Sequence, residues 1–193
     1  MKICVYGAAS PRIDAEYIEK VEQLGKEMVK RGHSLVFGGG GNGLMGAVAR
    51  GVRKEGGHIF GVIPKFFDEN NVEELCDFCD TLVKPDTMRE RKQIMEDNSD
   101  AFIVVPGGIG TFEEFFEILT LKQLCRHNKP IVIYNLKGYY DEMNHVMDLA
   151  IAKGFIRESC KDLYLTTDNL VDLFKYVELP ADQIHSVKEL KDG

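Results

Sequence analysis

The chain is short of positive charge. Its 24 Lys and Arg are outnumbered by 31 Asp and Glu, a net charge of −7 over 193 residues. That balance argues against nucleic acid as a partner, because duplex binding needs a basic face that releases counterions. It leaves room for a small anionic ligand, which answers to a local field. Cysteine is scarce and odd in number. Cys4, Cys76, Cys79, Cys125 and Cys160 are scattered along the chain, which speaks against a secreted disulfide framework and for a reducing, cytoplasmic setting. Cys76-x-x-Cys79 has no second pair, and His127 and His145 stand at no zinc-like spacing, so no metal or redox role is expected of it. Long apolar runs are missing as well. The run from Ile3 to Ala9 meets Ser10-Pro11 before it makes a signal h-region, and it reads as a buried first strand. No membrane segment is expected.

What the sequence does contain is an alternation of short apolar runs with amphipathic stretches. Strands are expected at 2–6, 34–37, 58–63, 81–83, 101–105, 130–134 and 163–165, and helices near 14–31, 43–55, 87–98, 111–126, 139–153 and 168–177. No linker rich in Ser, Gly or Pro interrupts the pattern, so residues 1–180 are expected to form a single domain, followed by a short polar tail at 181–193. The fold class is α/β, a Rossmann-like doubly wound sheet, mostly parallel, with helices on both faces. Ligands of such folds bind outside the carboxyl ends of the strands, which directs attention to the strand-to-helix turns.

Three of these turns have the composition for chemistry. The first runs from Gly38 to Gly46, where glycines would let backbone amides approach an anion at a helix N-terminus. Gly41, Gly43 and Gly46 match the dinucleotide fingerprint, yet Ile63-Pro64 stands where that reading needs an acid for the ribose hydroxyls, and Asp68 comes too late. The alternative is a tight turn with glycines for helix packing. The second turn is Pro106-Gly107-Gly108-Ile109-Gly110-Thr111, followed by Glu113 and Glu114. Thr111 and Glu114 fit a capping box, which would account for the acid but leaves Gly-Gly-x-Gly unexplained, so a ligand site is expected there. The third is the helix start at Thr87-Met88-Arg89-Glu90-Arg91-Lys92. Thr87 and Glu90 again fit a capping box, and Met88, Arg91, Lys92 and Met95 share one face. Two cations among apolar neighbours either extend to solvent or meet an anion, and the two glycine turns favour the anion.

Three motifs together, Gly39-Gly40-Gly41 with Gly43-Leu44-Met45-Gly46, Met88-x-x-Arg91-Lys92, and Pro106-Gly-Gly-x-Gly-Thr-x-x-Glu114, resemble those of the Lonely Guy (LOG) family of phosphoribohydrolases, long labelled lysine decarboxylase-like. The resemblance extends from the first strand to about Ala152. It implies a Rossmann-like homodimer, or an assembly of dimers, that hydrolyses the N-glycosidic bond of nucleoside 5′-monophosphates without metal or organic cofactor. Among the substrates it implies are N6-substituted AMPs, which release a cytokinin base and ribose 5-phosphate. Arg91 and Glu114 match the catalytic positions. Met88, Lys92, Gly107, Gly108, Ile109, Gly110, Thr111 and Glu113, with Gly40, Gly41 and Gly43, are the expected substrate contacts. Arg89 and Ile109 replace the His and Tyr common in the family, which bears on the choice of base. The rival readings are a non-catalytic nucleotide-binding protein of the same fold and a pyridoxal-phosphate decarboxylase. Lys129 and Lys137 lack a recognisable Schiff-base context for the latter.

Overall fold

A computed structural model describes residues 1–69 and 74–180; the expected tail at 181–193 lies outside them. Seven strands form one parallel sheet: β1 (Lys2–Tyr6), β2 (Ser34–Phe37), β3 (Ile59–Val62), β4 (Thr81–Val83), β5 (Ala101–Val104), β6 (Ile131–Tyr134) and β7 (Leu165–Thr167). Their order is β4-β3-β2-β1-β5-β6-β7, all parallel, so the chain winds outward from β1 in one direction and, from β5, in the other. The switch point between β1 and β5 is where such sheets leave a crevice.

The helices are α1 (Ala15–Lys30), α2 (Gly43–Lys54), α3 (Lys65–Glu69), α4 (Met88–Asp97), α5 (Ile109–Gln123), α6 (Asp141–Ala152) and α7 (Leu170–Val177). The period-2 alternation of the strands divides the core in two. Ile3, Val5, Leu35, Phe37 and Ile103 point to the side covered by α1, α2 and α7. Cys4, Tyr6, Val36, Phe102 and Val104 point to the side covered by α4, α5 and α6. Both faces are thus buried, which is why the strands read as continuous apolar runs.

Three boundaries differ from expectation for physical reasons. Strand β7 begins at Leu165 because the preceding residues 158–163 wind into a 3-10 turn that buries Leu163. Helix α5 starts two residues early, with Gly108 as its N-cap, so Thr111 is not the cap. It also ends early: Cys125 takes the left-handed conformation at φ +58°, and the Arg126 amide bonds back to the Leu121 carbonyl at 2.9 Å. The short helix α3 was not expected.

Candidate active site

The site is assembled at Ala8, in the turn after β1. The Ala8 amide donates to the Pro106 carbonyl at 3.1 Å, while the Ala8 carbonyl accepts from Leu44 at 2.8 Å and Met45 at 3.3 Å. One residue therefore ties together the turns that follow β1, β2 and β5. This turn was passed over in the sequence because Gly7-Ala8-Ala9 carries no reactive side chain. Its one signal was position, at the end of the first strand.

These bonds decide between the readings of the first glycine turn. The opening amides of α2 are engaged by Ala8, and the Gly41 amide donates to the Glu74 carbonyl at 2.7 Å. Its glycines answer to packing: a Cβ on Gly46 would lie 1.8 Å from the Gly41 carbonyl oxygen, and Gly43 sits at φ +57° against the backbone of Ala8 to Ser10. Of the anion cradle expected at Gly41 and Gly43, the Gly41 amide is thus engaged within the protein. Gly38 and Gly40 have a different part, because both line a small cavity with Tyr6, Gly7, Arg91 and Glu114.

Arg91 reaches that cavity from the first turn of α4. Thr87 accepts from the Glu90 amide at 3.2 Å and Glu90 accepts from the Thr87 amide at 3.2 Å, so the expected capping box fixes the start of the helix. Arg91 Nε then donates to the Val62 carbonyl at 3.2 Å and Nη1 donates to Glu114 Oε1 at 2.8 Å. A Cβ at Gly38 would stand 2.1 Å from Nη2, so a glycine there makes room for the guanidinium. Glu114 comes from the second turn of α5 and is buried, with Arg91 its hydrogen-bond partner among the described residues. Burial pushes its carboxyl above the usual carboxylate range, against the opposing pull of Arg91. The cavity beside the pair holds about 50 Å³, room for water and the reacting end of a ligand only.

The turn after β5 supplies the opposite kind of surface. Tyr139 donates to the Gly107 carbonyl at 2.6 Å and Tyr140 to the Val105 carbonyl at 2.8 Å, which pins the loop from outside. No side chain caps α5, so the amides of its first turn face outward. A Cβ on Gly107 would collide with the Thr111 hydroxyl at 2.1 Å, whereas Cβ atoms on Gly108 and Gly110 would meet nothing within 4 Å. Packing explains glycine at 107; it does not explain glycine at 108 and 110. Beside this turn a cavity of about 300 Å³ opens between Ala8, Tyr17, Leu44, Pro106, Gly108 and Tyr139.

The remaining expected contacts lie farther out. Lys92 pairs with Glu113 and with Glu117 at 2.8 Å, and these carboxylates hold its ammonium above the usual range although partial burial opposes them. Met88 is 37 % exposed and Ile109 87 % exposed, and neither lines the two cavities. Among the described residues no group of three His, Cys, Asp or Glu could hold a metal ion. No helix of the described residues is long and apolar enough to cross a membrane.

A parallel doubly wound sheet with an open helix N-terminus and a buried Arg–Glu pair at its switch point defines a Rossmann-like protein. The chain belongs to the family described as "Possible lysine decarboxylase", whose model matches residues 45–177; it is the LOG family of the motif resemblance. It is 41 % identical over 174 residues to the cytokinin riboside 5′-monophosphate phosphoribohydrolase of Mycobacterium tuberculosis, covering 90 % of this chain and 91 % of that one. It is 38 % identical over 177 residues to the enzyme of that name from Oryza sativa subsp. japonica, covering 92 % of this chain and 72 % of the relative. Among solved structures, the molybdenum cofactor binding protein of Rippkaea orientalis superposes with a TM-score of 0.69 at 20 % identity, over 92 % of this chain and 97 % of that one. At that identity the likeness concerns the fold alone.

Proposed function

We propose that this protein hydrolyses the N-glycosidic bond of adenosine 5′-monophosphates, N6-substituted ones included, and releases the free base and ribose 5-phosphate. The observation that carries the reading is the buried Arg91–Glu114 pair, 2.8 Å apart, beside an α5 N-terminus that no side chain caps. The names of the relatives agree with it.

Cleavage of a ribosyl C–N bond develops positive charge at C1′ and the ring oxygen. Glu114, ionised and buried, stabilises that charge, orients the attacking water and takes its proton as the C1′–O bond forms and the C1′–N bond breaks, while the departing base, leaving with the electron pair, takes up one proton from solvent. Arg91 keeps Glu114 ionised and aimed. The phosphate lies on the amides of Gly108 to Thr111, where the glycines admit close approach and the helix dipole favours the anion. This contact holds the reacting bond over Glu114. The larger cavity, walled by Leu44, Pro106 and the rings of Tyr17 and Tyr139, takes the flat base. Lys92, bridging Glu113 and Glu117, keeps α4 and α5 in register.

Ile109 and Phe116 on α5 and Met88 on α4 leave apolar surface exposed, and a second copy of the chain covers it in the homodimer we infer. The five free thiols fit a cytoplasmic setting. A non-catalytic carrier would have no use for the buried ion pair, which costs desolvation and gives a binder nothing. The test is to incubate the protein with AMP, isopentenyl-AMP and adenosine and to quantify free base and ribose 5-phosphate by chromatography. Both monophosphates should be cleaved and adenosine left intact. Equal rates on AMP and adenosine would overturn the reading.

A further inference from the structure

The Cys76-x-x-Cys79 pair has no part in the proposed hydrolysis, but the fold gives it a setting that its spacing alone did not reveal. Residues 77 and 78 form a turn, so the two cysteines stand at its ends, within the span that a disulfide bridges. The two thiols perturb each other: Cys79 draws the Cys76 thiol down, and Cys76 with burial pushes the Cys79 thiol up. Gly61, in the middle of β3, makes room for the Cys79 sulfur: a Cβ there would lie 2.9 Å from it. Cys76 is buried and Cys79 half-buried.

The backbone around this turn is tied to the wall of the active site. The Cys76 amide donates to the Gly39 carbonyl at 2.8 Å, and Gly40 pairs with Leu75 in an antiparallel bridge. The Gly41 amide donates to the Glu74 carbonyl, and the Asn42 side chain donates to Glu74 at 2.9 Å. Gly40 lines the Arg91–Glu114 cavity, and Gly38 lies against the guanidinium. Any shift of Cys76 is therefore passed to the cavity wall through three consecutive glycines.

The geometry points to Cys76 and Cys79 as a reversible dithiol–disulfide couple that controls the nucleotide site. The oxidant is a small disulfide. The more exposed Cys79 is the thiol that the oxidant reaches; as it breaks the S–S bond of the oxidant, its proton, which Cys76 and burial hold on it, leaves on the expelled small thiol. Cys76 then displaces the second thiol from the mixed disulfide. Two cysteine thiols are oxidised to one S–S bond, the oxidant is reduced to two thiols, and both protons leave on them. With its thiol drawn down to about 7 by the neighbouring Cys79 and the Phe78 amide, Cys76 is ionised in part at neutral pH and suited to the second step. Drawing the sulfurs together pulls Cys76 away from the Gly39 carbonyl and disturbs the wall at Gly40. The control of nucleotide binding rests on the function proposed above; the couple itself does not.

The test uses the full chain carrying Cys125→Ser, which removes the one fully exposed thiol. Oxidised glutathione should take two hydrogen atoms from the intact mass, with the new bond within the peptide that holds residues 76–79, and reduced dithiothreitol should restore them. The same chain with Cys79→Ser should keep its mass. AMP affinity, measured by calorimetry, should fall about fivefold in the oxidised form, a coupling of ordinary size. An unchanged mass, or a glutathione adduct that persists, overturns the couple. Equal AMP affinity in the two forms overturns the control. A chain that binds no AMP in either form tells against the proposed function, while the mass result still decides the couple.

Discussion

Arg91 and Glu114 meet at 2.8 Å with side chains only 13 % and 9 % exposed. One comes from α4 and the other from α5, and the guanidinium is held at a third point by the Val62 carbonyl at the end of β3. An ion pair taken this far out of water returns little stability for its desolvation, so its presence at the mouth of a cavity is better explained by the charge it keeps in place. Glu114→Gln keeps the shape and removes that charge. Hydrolysis should drop by a factor on the order of 10² or more, as for other groups that stabilise developing charge. Calorimetry should still find AMP bound, and circular dichroism should find the fold intact. Near-normal turnover would remove Glu114 from the mechanism.

The same pair sets a pH dependence. In the proposed mechanism catalysis needs the Glu114 carboxylate, and burial has pushed its pKa up while Arg91 holds it down. Turnover should therefore rise with pH through an ionisation above the ordinary carboxylate range. Arg91→Gln removes the opposing charge, so the acid limb of kcat should move to higher pH. Arg91→Lys keeps the charge but loses the fork that reaches Val62 and Glu114 together. Its limb should stay near that of the unaltered protein while the plateau falls by about tenfold or more, in line with the loss of one oriented donor. A common acid limb in all three proteins would separate Arg91 from the titration.

Much of this arrangement follows from local rules and was legible as such. Strands of four or five apolar residues, and Thr87 with Glu90 at capping-box spacing, give nearly the same elements in the sequence as in the fold. The same rule misreads Thr111 and Glu114. Their spacing is equally good for a cap, but Glu114 is drawn to Arg91, 23 residues away, and the helix starts at Ile109 instead. The first glycine turn misleads for a similar reason. Its helix N-terminus looks open until the Ala8 carbonyl, 36 residues before Leu44, is found engaging it. Long-range hydrogen bonds decide which of two similar turns is free, and neither composition nor spacing encodes them.

Gly110 separates the demands of binding from those of folding. It lies in the first turn of α5 with open space where a Cβ would stand, so alanine fits and improves helix propensity. Gly110→Ala should leave the protein as stable or raise its stability by about 0.5–1 kcal/mol. The added methyl group stands between the amides and the proposed phosphate, so KM for AMP should rise by about tenfold, the loss expected for weakening one hydrogen bond to a charged group. Gly46→Ala makes the opposite case, because its Cβ would lie 1.8 Å from the Gly41 carbonyl oxygen. It should destabilise by at least about 1–3 kcal/mol in urea unfolding, the range for overpacking. If Gly110→Ala binds AMP normally, the phosphate does not rest on α5.

A final prediction concerns His127, which lies beyond the C-terminal end of α5 and away from the site. Its Nε2 pairs with the Ile118 carbonyl at 2.9 Å, and its Nδ1 faces the Lys129 amide at 3.2 Å. A carbonyl can only accept and an amide can only donate, so the ring is neutral with its proton on Nε2. Protonation at Nδ1 would break the bond from Lys129. Burial, with the nearby charges of Lys129 and Lys122, lowers its pKa from 6.5 to about 4. Between those values the unfolded chain takes up a proton that the folded chain refuses. Stability should thus be flat above pH 6.5 with respect to this group, fall as the pH drops toward 4, and change no further below it. Glutamine can offer a donor and an acceptor along similar directions but does not titrate. In chemical denaturation followed across this range, the difference in stability between the unaltered protein and His127→Gln should turn against the unaltered protein as the pH falls. A difference that is constant with pH would show that His127 titrates alike in the folded and unfolded chains.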